Sequence, residues 1–511
     1  MSSEFTVSVA TNPDTAGIRA EPSADPARFA GDALVLFLSP GGVARGGVAE
    51  LDRATGGLLG RLAEAGELTG KRYESVPVLA PPGLACGQLL VVGIGPADEV
   101  DAGLLYRAAA LAARQLSGRP RGLVGFLAEG CWTNDQLEQA VAGAAVGMVG
   151  QDLYRAEKKQ HPFAGTVWLE AAVEVVARGA VIADGVNLAR RLVNLPPDDL
   201  YPETFAEEAA TVASRVGLEI EIWDQSRLER ERCRALLAVA RGSSRAPRLV
   251  LLHYRGPRAA AAAAGSRPDL ALVGKGVTFD SGGLSLKPSD GMLAMKCDMS
   301  GAAAALGAIA TIAALKLPVH VVAAVGLVEN MNGAAAYKLG DVVTARSGTT
   351  IEIHNTDAEG RVVLADVLDV VADLQPRRIV DAATLTGACM VALGRDIAGV
   401  FTNDQTCCDA VAAAAEAVGE RVWQFPMDRD FDEQIESPVA DIKNVGDGRL
   451  GGAITAAKLL ERFVRGIPWT HVDIAGPAFA DKPRPWIAGG GTGSMVRPFV
   501  ELARRTEPAK A

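Results

Sequence analysis

Histidine, cysteine and aromatic residues are all scarce in this 511-residue chain, and each scarcity removes a class of function. The five histidines (His161, His253, His320, His354 and His471) stand far apart with no His-Glu-x-x-His run, which excludes a histidine-based zincin site. Seven cysteines include no Cys-x-x-Cys, and Cys407-Cys408 is the one adjacent pair. An odd count without regular spacing fits reduced thiols rather than a disulfide framework. Aromatic residues make up 5%, too few for base-stacking platforms, and a net charge of -10 argues against nucleic-acid binding by the whole surface. Met1-Ser2-Ser3-Glu4-Phe5 carries neither the basic nor the apolar segment of a signal peptide. The most apolar stretch, Gly301 to Val328, is interrupted by Lys316, Pro318 and His320 before it reaches the ~20 residues a span requires. A soluble, cytoplasmic protein without membrane contact is expected.

What is present is an ordinary globular composition, 49% hydrophobic and 22% charged, in a chain long enough for two or more cores. Residues 1–30 lack periodicity and read as a loose arm. Residues 31–165 read as a small α/β domain. Its strands are Ala33 to Leu38, Gln88 to Val92 and Leu123 to Leu127, with helices at Ala102 to Leu116 and Asn134 to Val149. Gly93-Ile94-Gly95 follows a strand, but the full dinucleotide glycine pattern and an acidic partner are missing, so no cofactor is expected there. Residues 166–197 read as a linker helix, spanning Val173 to Val193.

Residues 198–511 read as a larger second domain. Strands are expected at Leu218 to Trp223, Arg248 to Tyr254, Leu270 to Gly274, Val319 to Leu327, Ile379 to Ala383 and Thr470 to Ile474. Helices are expected at Arg227 to Ala240, Ala302 to Lys316, Arg361 to Leu374, Asp409 to Val418 and Ala453 to Arg465. Continuous Val/Ile/Leu/Ala strands imply a mostly parallel central sheet covered on both faces, an α/β/α arrangement.

Two stretches carry the chemistry. An alternating run from Thr349 to His354 leads into Asn355-Thr356-Asp357-Ala358-Glu359-Gly360-Arg361, a strand-to-helix turn loaded with two carboxylates and an arginine. Upstream, the strand Leu270 to Gly274 runs into glycines, with Lys275, Asp280 and Lys287 following its end and Asp298 just before an Ala-rich helix. Charged residues at strand ends and beside small-residue loops are where open α/β folds place their sites. Four acids, Asp280, Asp298, Asp357 and Glu359, suit hard or borderline divalent metals. Cys297 beside Asp298 reads as a small packing residue, and His354 as a residue that packs or caps.

These stretches resemble the leucyl aminopeptidase family of two-metal peptidases (family M17), whose signature is the Asn-Thr-Asp-Ala-Glu-Gly-Arg run. The resemblance extends through Asp381 to Ala388, Gly451 to Ala457 and His471 to Gly476, and covers roughly Val186 to Pro498. It implies an aminopeptidase that removes leucine or other apolar residues from short peptides with a free N-terminus. It further implies that Lys275, Asp280, Asp298, Asp357 and Glu359 hold two divalent ions, Mn²⁺ or Zn²⁺, around a bridging water. Lys287 would stabilise the oxyanion, and Arg361 would hold a bicarbonate that accepts the water's proton. Met295, Thr384 and Gly387 would line the pocket for the first side chain. Relatives form hexamers, so a homohexamer is expected. The chain departs from the family at Val362, where leucine is usual, and at Asn332 and Leu339, where prolines are common. A two-metal phosphoesterase shares the acids without needing two lysines and an arginine at this spacing. A DNA-binding regulatory or recombination accessory role, known among relatives, is disfavoured by the acidic charge.

Overall fold

A computed structural model describes residues 17–44, 46–257, 267–448 and 450–507. The fold is α/β, with a smaller N-terminal and a larger C-terminal unit, as the alternating strand and helix patterns predict. The first unit comprises residues up to Asn187 together with Lys482–Gly489, and the second comprises the remainder. The division falls inside the helix Val173–Asn194.

The first unit is built on a six-stranded sheet in the order Ile18–Glu21, Gly165–Leu169, Leu123–Leu127, Ala33–Leu38, Gln88–Gly93 and Ser75–Leu79. Only the last pairing is antiparallel. Two of these strands differ from expectation. Ile18–Glu21 lies within the stretch read as a loose arm, yet it pairs in parallel with Gly165–Leu169. Four residues are too few for a period to emerge from sequence, and the neighbouring strand's free edge decides their conformation. Residues 166–169 were expected in the linker. Instead they form that neighbouring strand, because Thr166, Val167, Trp168 and Leu169 are all buried β-formers. Residues 1–16 of the expected arm lie outside the described residues. At the end of Gln88–Gly93, a Cβ on Gly93 would meet the carbonyl oxygen of Lys71 at 2.0 Å. The chain's own backbone therefore covers the Gly93-Ile94-Gly95 turn.

The second unit carries an eight-stranded sheet ordered Arg421–Gln424, Ile397–Thr402, Trp469–Asp473, Ile379–Ala383, Leu270–Asp280, His320–Asn330, Arg248–Arg255 and Glu219–Trp223. Its central strands, from Trp469–Asp473 to His320–Asn330, are mutually parallel, and antiparallel pairings flank them. Both faces of this sheet are covered, so its strands can be apolar throughout. One core joins Val273, Val277, Val322 and Ala324 to Val363, Val367 and Leu368 of the helix Glu359–Asp373. Among the described residues, one helical stretch, Ser289–Ala314, is long and apolar enough to cross a membrane, and 94% of its most apolar window is buried in the fold. The single helix expected from Arg227 to Ala240 is two, Gln225–Arg230 and Arg234–Ala240. Arg232 takes a left-handed φ of 60°, and the buried Asp366 carboxylate accepts the Leu236 N–H at 2.9 Å, restarting the helix with a cap.

Candidate metal centre

The strand Leu270–Asp280 delivers two residues to one end of the parallel sheet: Lys275 from its interior and Asp280 from its last position. Beside it, a short sheet formed by Val342–Thr344, Thr350–Glu352 and Ile442–Lys443 launches the turn that opens the helix Glu359–Asp373. Lys275 Nζ lies 2.7 Å from Asp298 Oδ2 and 2.8 Å from Glu359 Oε1, and donates to the Thr384 carbonyl at 3.0 Å. Lys287 Nζ lies 2.8 Å from Asp280 Oδ2 and 2.6 Å from Asp357 Oδ1. Ligand atoms of Asp280, Asp357 and Glu359 all fall within 4.8 Å of one another. Asp298 joins them through Lys275, and Thr384 Oγ1 donates to its Oδ1 at 2.8 Å.

Two glycines make this convergence possible. A Cβ on Gly360 would stand 2.5 Å from Lys275 Cε, so only glycine lets the lysine lie across the start of the helix. Gly282 has φ +87°, and its Cβ would meet Asp357 Oδ1 at 2.9 Å.

The electrostatics are those of a crowded, buried acid cluster. Burial pushes the Asp280 carboxyl up to about 6, with Glu359 adding to the rise and Lys287 and Lys275 opposing it. Burial likewise drives Asp298 well above the usual carboxylate range. Burial also works against ionised Glu359, yet Lys275 and Lys287 hold it below its ordinary value. For Lys275, burial disfavours the cation, but Asp298, Glu359 and Asp280 outweigh it and the amine is raised. Such an amine donates; it becomes a ligand only on losing its proton, which an adjacent dication would favour. Burial lowers Arg361 to about 10. Burial pushes the Cys297 thiol up to about 12, so it is a protonated packing group.

The donor set suits a divalent ion on its own terms. Glu359 Oε2 is buried without a hydrogen-bond donor. Asp298 Oδ2 and Asp357 Oδ1 sit at ion-pair distance from a lysine but outside hydrogen-bonding geometry. Buried carboxylate oxygens left without aligned donors are expensive for a fold unless a cation takes them.

The other expected residues are placed as follows. Arg361 is buried at the helix start and donates from Nη1 to the Asn444 carbonyl at 3.0 Å. Met295 is half-buried in the short helix before Asp298, and Gly387 is exposed with open space where a Cβ would stand. His354 stays at the surface, 2.9 Å from Glu352. Val362 is fully buried in the helix, whereas Asn332 and Leu339 are exposed.

Sequence reasoning passed over three residues around the turn. Asn330 donates to Asp280 Oδ1 at 2.8 Å and to the Thr356 carbonyl at 2.9 Å, and Tyr337 donates its hydroxyl to the same carbonyl at 2.9 Å. Asn444 bonds the turn from the opposite side. The sequence signals for them are slight: Asn330 ends a long apolar strand, and Asn444 follows a two-residue strand.

Comparison with known proteins finds relatives along nearly the whole chain. Residues 187–500 match the cytosol aminopeptidase family's catalytic domain, and residues 35–158 match its N-terminal domain. A probable cytosol aminopeptidase of Rhodopirellula baltica is 48% identical over 454 residues, covering 89% of this chain and 88% of the relative. One from Methylorubrum extorquens is 41% identical over 490 residues, covering 92% and 96%. Among solved structures, a tomato leucine aminopeptidase variant superposes with a TM-score of 0.84 at 32% identity, covering 96% of each chain. A bottromycin maturation enzyme in complex with Mn gives 0.81 at 35%, covering 93% of this chain and 99% of that one. The chain belongs to the cytosol aminopeptidase family, a family of metal-dependent peptidases, and is a hydrolase.

Proposed function

We propose that this protein removes the N-terminal residue of short peptides, preferring leucine and other apolar residues, with two divalent ions, Mn²⁺ or Zn²⁺, held by Lys275, Asp280, Asp298, Asp357 and Glu359. The observation that carries the reading is the set of buried carboxylate oxygens left without aligned donors around two lysines. A solved relative in complex with Mn supports the choice of metal. When bound, the ions supply Lewis acidity towards the scissile carbonyl and acidify water.

The chain's own groups do the rest. Lys287 remains a cation, since Asp280, Glu359 and Asp298 together outweigh the burial that works against it, and its side chain is partly open to solvent. It is placed to donate to negative charge developing on the carbonyl oxygen. Arg361, buried at the start of the helix, would hold a bicarbonate, which would supply a base for the reaction. Thr384 fixes the Asp298 carboxylate through its hydroxyl, and with Met295 and Gly387 lines the pocket for the first side chain. An apolar pocket discriminates by only about 1–3 kcal/mol per methylene, so selectivity for leucine is graded. The working form is a cytoplasmic homohexamer that admits short peptides and excludes folded proteins.

The deciding experiment compares a Leu-peptide with its N-acetylated form, with and without a chelator. Only the free peptide should be cleaved, and chelation should stop the reaction until Mn²⁺ or Zn²⁺ is returned. Equal rates on both peptides, or full activity after chelation, would refute the reading. Light scattering should give about six times the 53.0 kDa chain.

A further inference from the structure

The turn from Asn355 to Ala358 carries Asp357 and delivers Glu359, yet most of its backbone lies outside any strand or helix. Its geometry must be held by something else. Asn444, fully buried and about ninety residues later in the chain, makes bonds on both sides of Asp357. Its Nδ2 donates to the Asn355 carbonyl at 2.7 Å and to the Ala358 carbonyl at 3.4 Å. Its Oδ1 accepts the His354 N–H at 2.8 Å and the Asn355 N–H at 3.3 Å. Its main-chain N–H donates to the Glu352 carbonyl at 3.0 Å, while its own carbonyl accepts from Arg361 Nη1 at 3.0 Å. The strand Ile442–Lys443, parallel to Thr350–Glu352, carries Asn444 to this position. Asp441 ties down the other end by accepting from the Thr350 N–H at 2.8 Å and hydroxyl at 2.7 Å.

We infer that Asn444 is a positioning residue for the reaction: it sets the placement of Asp357 and Glu359 by clamping the backbone on either side of Asp357, and it aims Arg361. The inference rests on the two-metal reading above. Among the described residues, no other side chain bonds the backbone both before and after Asp357 while the same residue also bonds Arg361. Groups behind a metal ligand that fix its orientation commonly alter metal affinity or activity by about 10–100-fold when removed. A merely architectural asparagine would alter stability alone. Asn403 supplies that contrast, since its Nδ2 donates to the Ile467 carbonyl at 3.0 Å and its Oδ1 accepts the Trp469 N–H at 2.8 Å, on a loop that carries no site residue.

The test uses the full chain loaded with Mn²⁺ and three variants: Asn444→Ala, Asn444→Asp and the control Asn403→Asp. Asn444→Asp keeps the shape and the accepting oxygen but turns a carboxylate oxygen towards the Asn355 carbonyl, so it tests the donor even where the alanine variant folds poorly. Mn²⁺ affinity is read by competition with a chelator, kcat and KM on a Leu-dipeptide at saturating metal, and folding by the thermal midpoint. Both Asn444 variants should bind Mn²⁺ about 10–100-fold more weakly and lose kcat, with KM held within about threefold. Asn403→Asp should lower the thermal midpoint and leave Mn²⁺ affinity unchanged. Folded Asn444 variants with Mn²⁺ affinity and kcat within about twofold of the parent overturn the inference. So does an Asn403 variant that weakens Mn²⁺ binding equally. If the parent chain binds no Mn²⁺ and cleaves no peptide, the two-metal reading itself falls, and that is seen before any variant is made.

Discussion

The helix Glu359–Asp373 carries an acid cluster towards each end, and the two are wired differently. Towards its C-terminal end, every carboxylate oxygen has a donor. Asp366 accepts the Arg346 N–H at 2.7 Å and the Leu236 N–H at 2.9 Å. Asp369 takes Arg346 Nη1 at 2.6 Å on one oxygen and Arg465 Nε at 2.8 Å on the other, while Asp373 is held by the same two arginines. At the N-terminal end the counter-charges are lysines, and Glu359 Oε2, Asp298 Oδ2 and Asp357 Oδ1 lack aligned donors. Acids in the last turns of a helix oppose its dipole, so they need the planar, forked guanidinium groups that satisfy them. Glu359, in the first turn, is favoured by the dipole and needs less from its neighbours. The saturated end has the wiring of a structural cluster, and the unsaturated end retains capacity for a cation.

The widest separation between the two ends should come from Glu359→Gln. If the N-terminal end holds metal, this near-isosteric change removes a charged donor, and peptidase activity should fall by roughly 10³-fold or more, because several kcal/mol of charge stabilisation goes with it. Retained Mn²⁺, measured by elemental analysis after gel filtration, should fall with it. Full activity in that variant would erase the distinction between the two ends.

Lys287→Met tests the same end with a smaller effect. It should lower kcat by about 10²–10³-fold, the usual loss for one oxyanion donor, while metal content remains. A rise in KM with unchanged kcat would instead make Lys287 a substrate-binding group. At the other end, Asp369→Asn leaves Arg346 and Arg465 facing a neutral amide. Both arginines keep Asp373 and Arg465 is half-exposed, so the loss should be about 1–3 kcal/mol, which denaturant unfolding should register. Activity per folded molecule should stay near the parent's, and a loss comparable to that of Glu359→Gln would show that the two ends act as one.

The two ends are not equally legible in the sequence. Asn355 to Arg361 and Lys275 to Lys287 are local runs, and charged groups beside glycines after an apolar strand can be read without knowing what they touch. Gly360 becomes intelligible only in three dimensions, where its missing Cβ accommodates Lys275. Asp366, Asp369 and Asp373 read simply as the polar positions of a helix, because their partners Arg346 and Arg465 lie in other segments and carry no pattern. Asn444 escaped for the same reason: its six bonds depend on a two-residue strand that no periodicity can announce. Long apolar strands were legible, extending further than expected at Leu270–Asp280 and His320–Asn330. The helix Pro202–Val216 was overlooked although Pro202 occupies its first turn, a start signal present in the sequence.

The smallest expected effect lies in the pH dependence of stability, where the two ends should also part. Burial pushes Asp366 up to about 7 and Asp280 up to about 6, both above the ~3.9 of a free aspartate. The folded chain therefore keeps protons that the unfolded chain has released. These two carboxyls contribute stability that is complete below ~3.9 and is lost as pH rises through about 6 and then about 7. In chelator-treated protein both losses should appear as a declining component of the thermal midpoint between about pH 4 and about pH 8, opposed in part by His253 and His320, which burial holds below their ordinary range. Saturating Mn²⁺ favours ionised Asp280 and removes its share of the decline, whereas Asp366, bonded to the backbone of Leu236 and Arg346, keeps its own. Midpoints with and without Mn²⁺ should thus converge near pH 4 and diverge towards neutrality, with a residual slope in the Mn²⁺ series. Parallel curves separated by a constant offset would mean that Asp280 does not meet the metal as an ionised ligand, and the contrast between the two ends of the helix would then rest on hydrogen bonding alone.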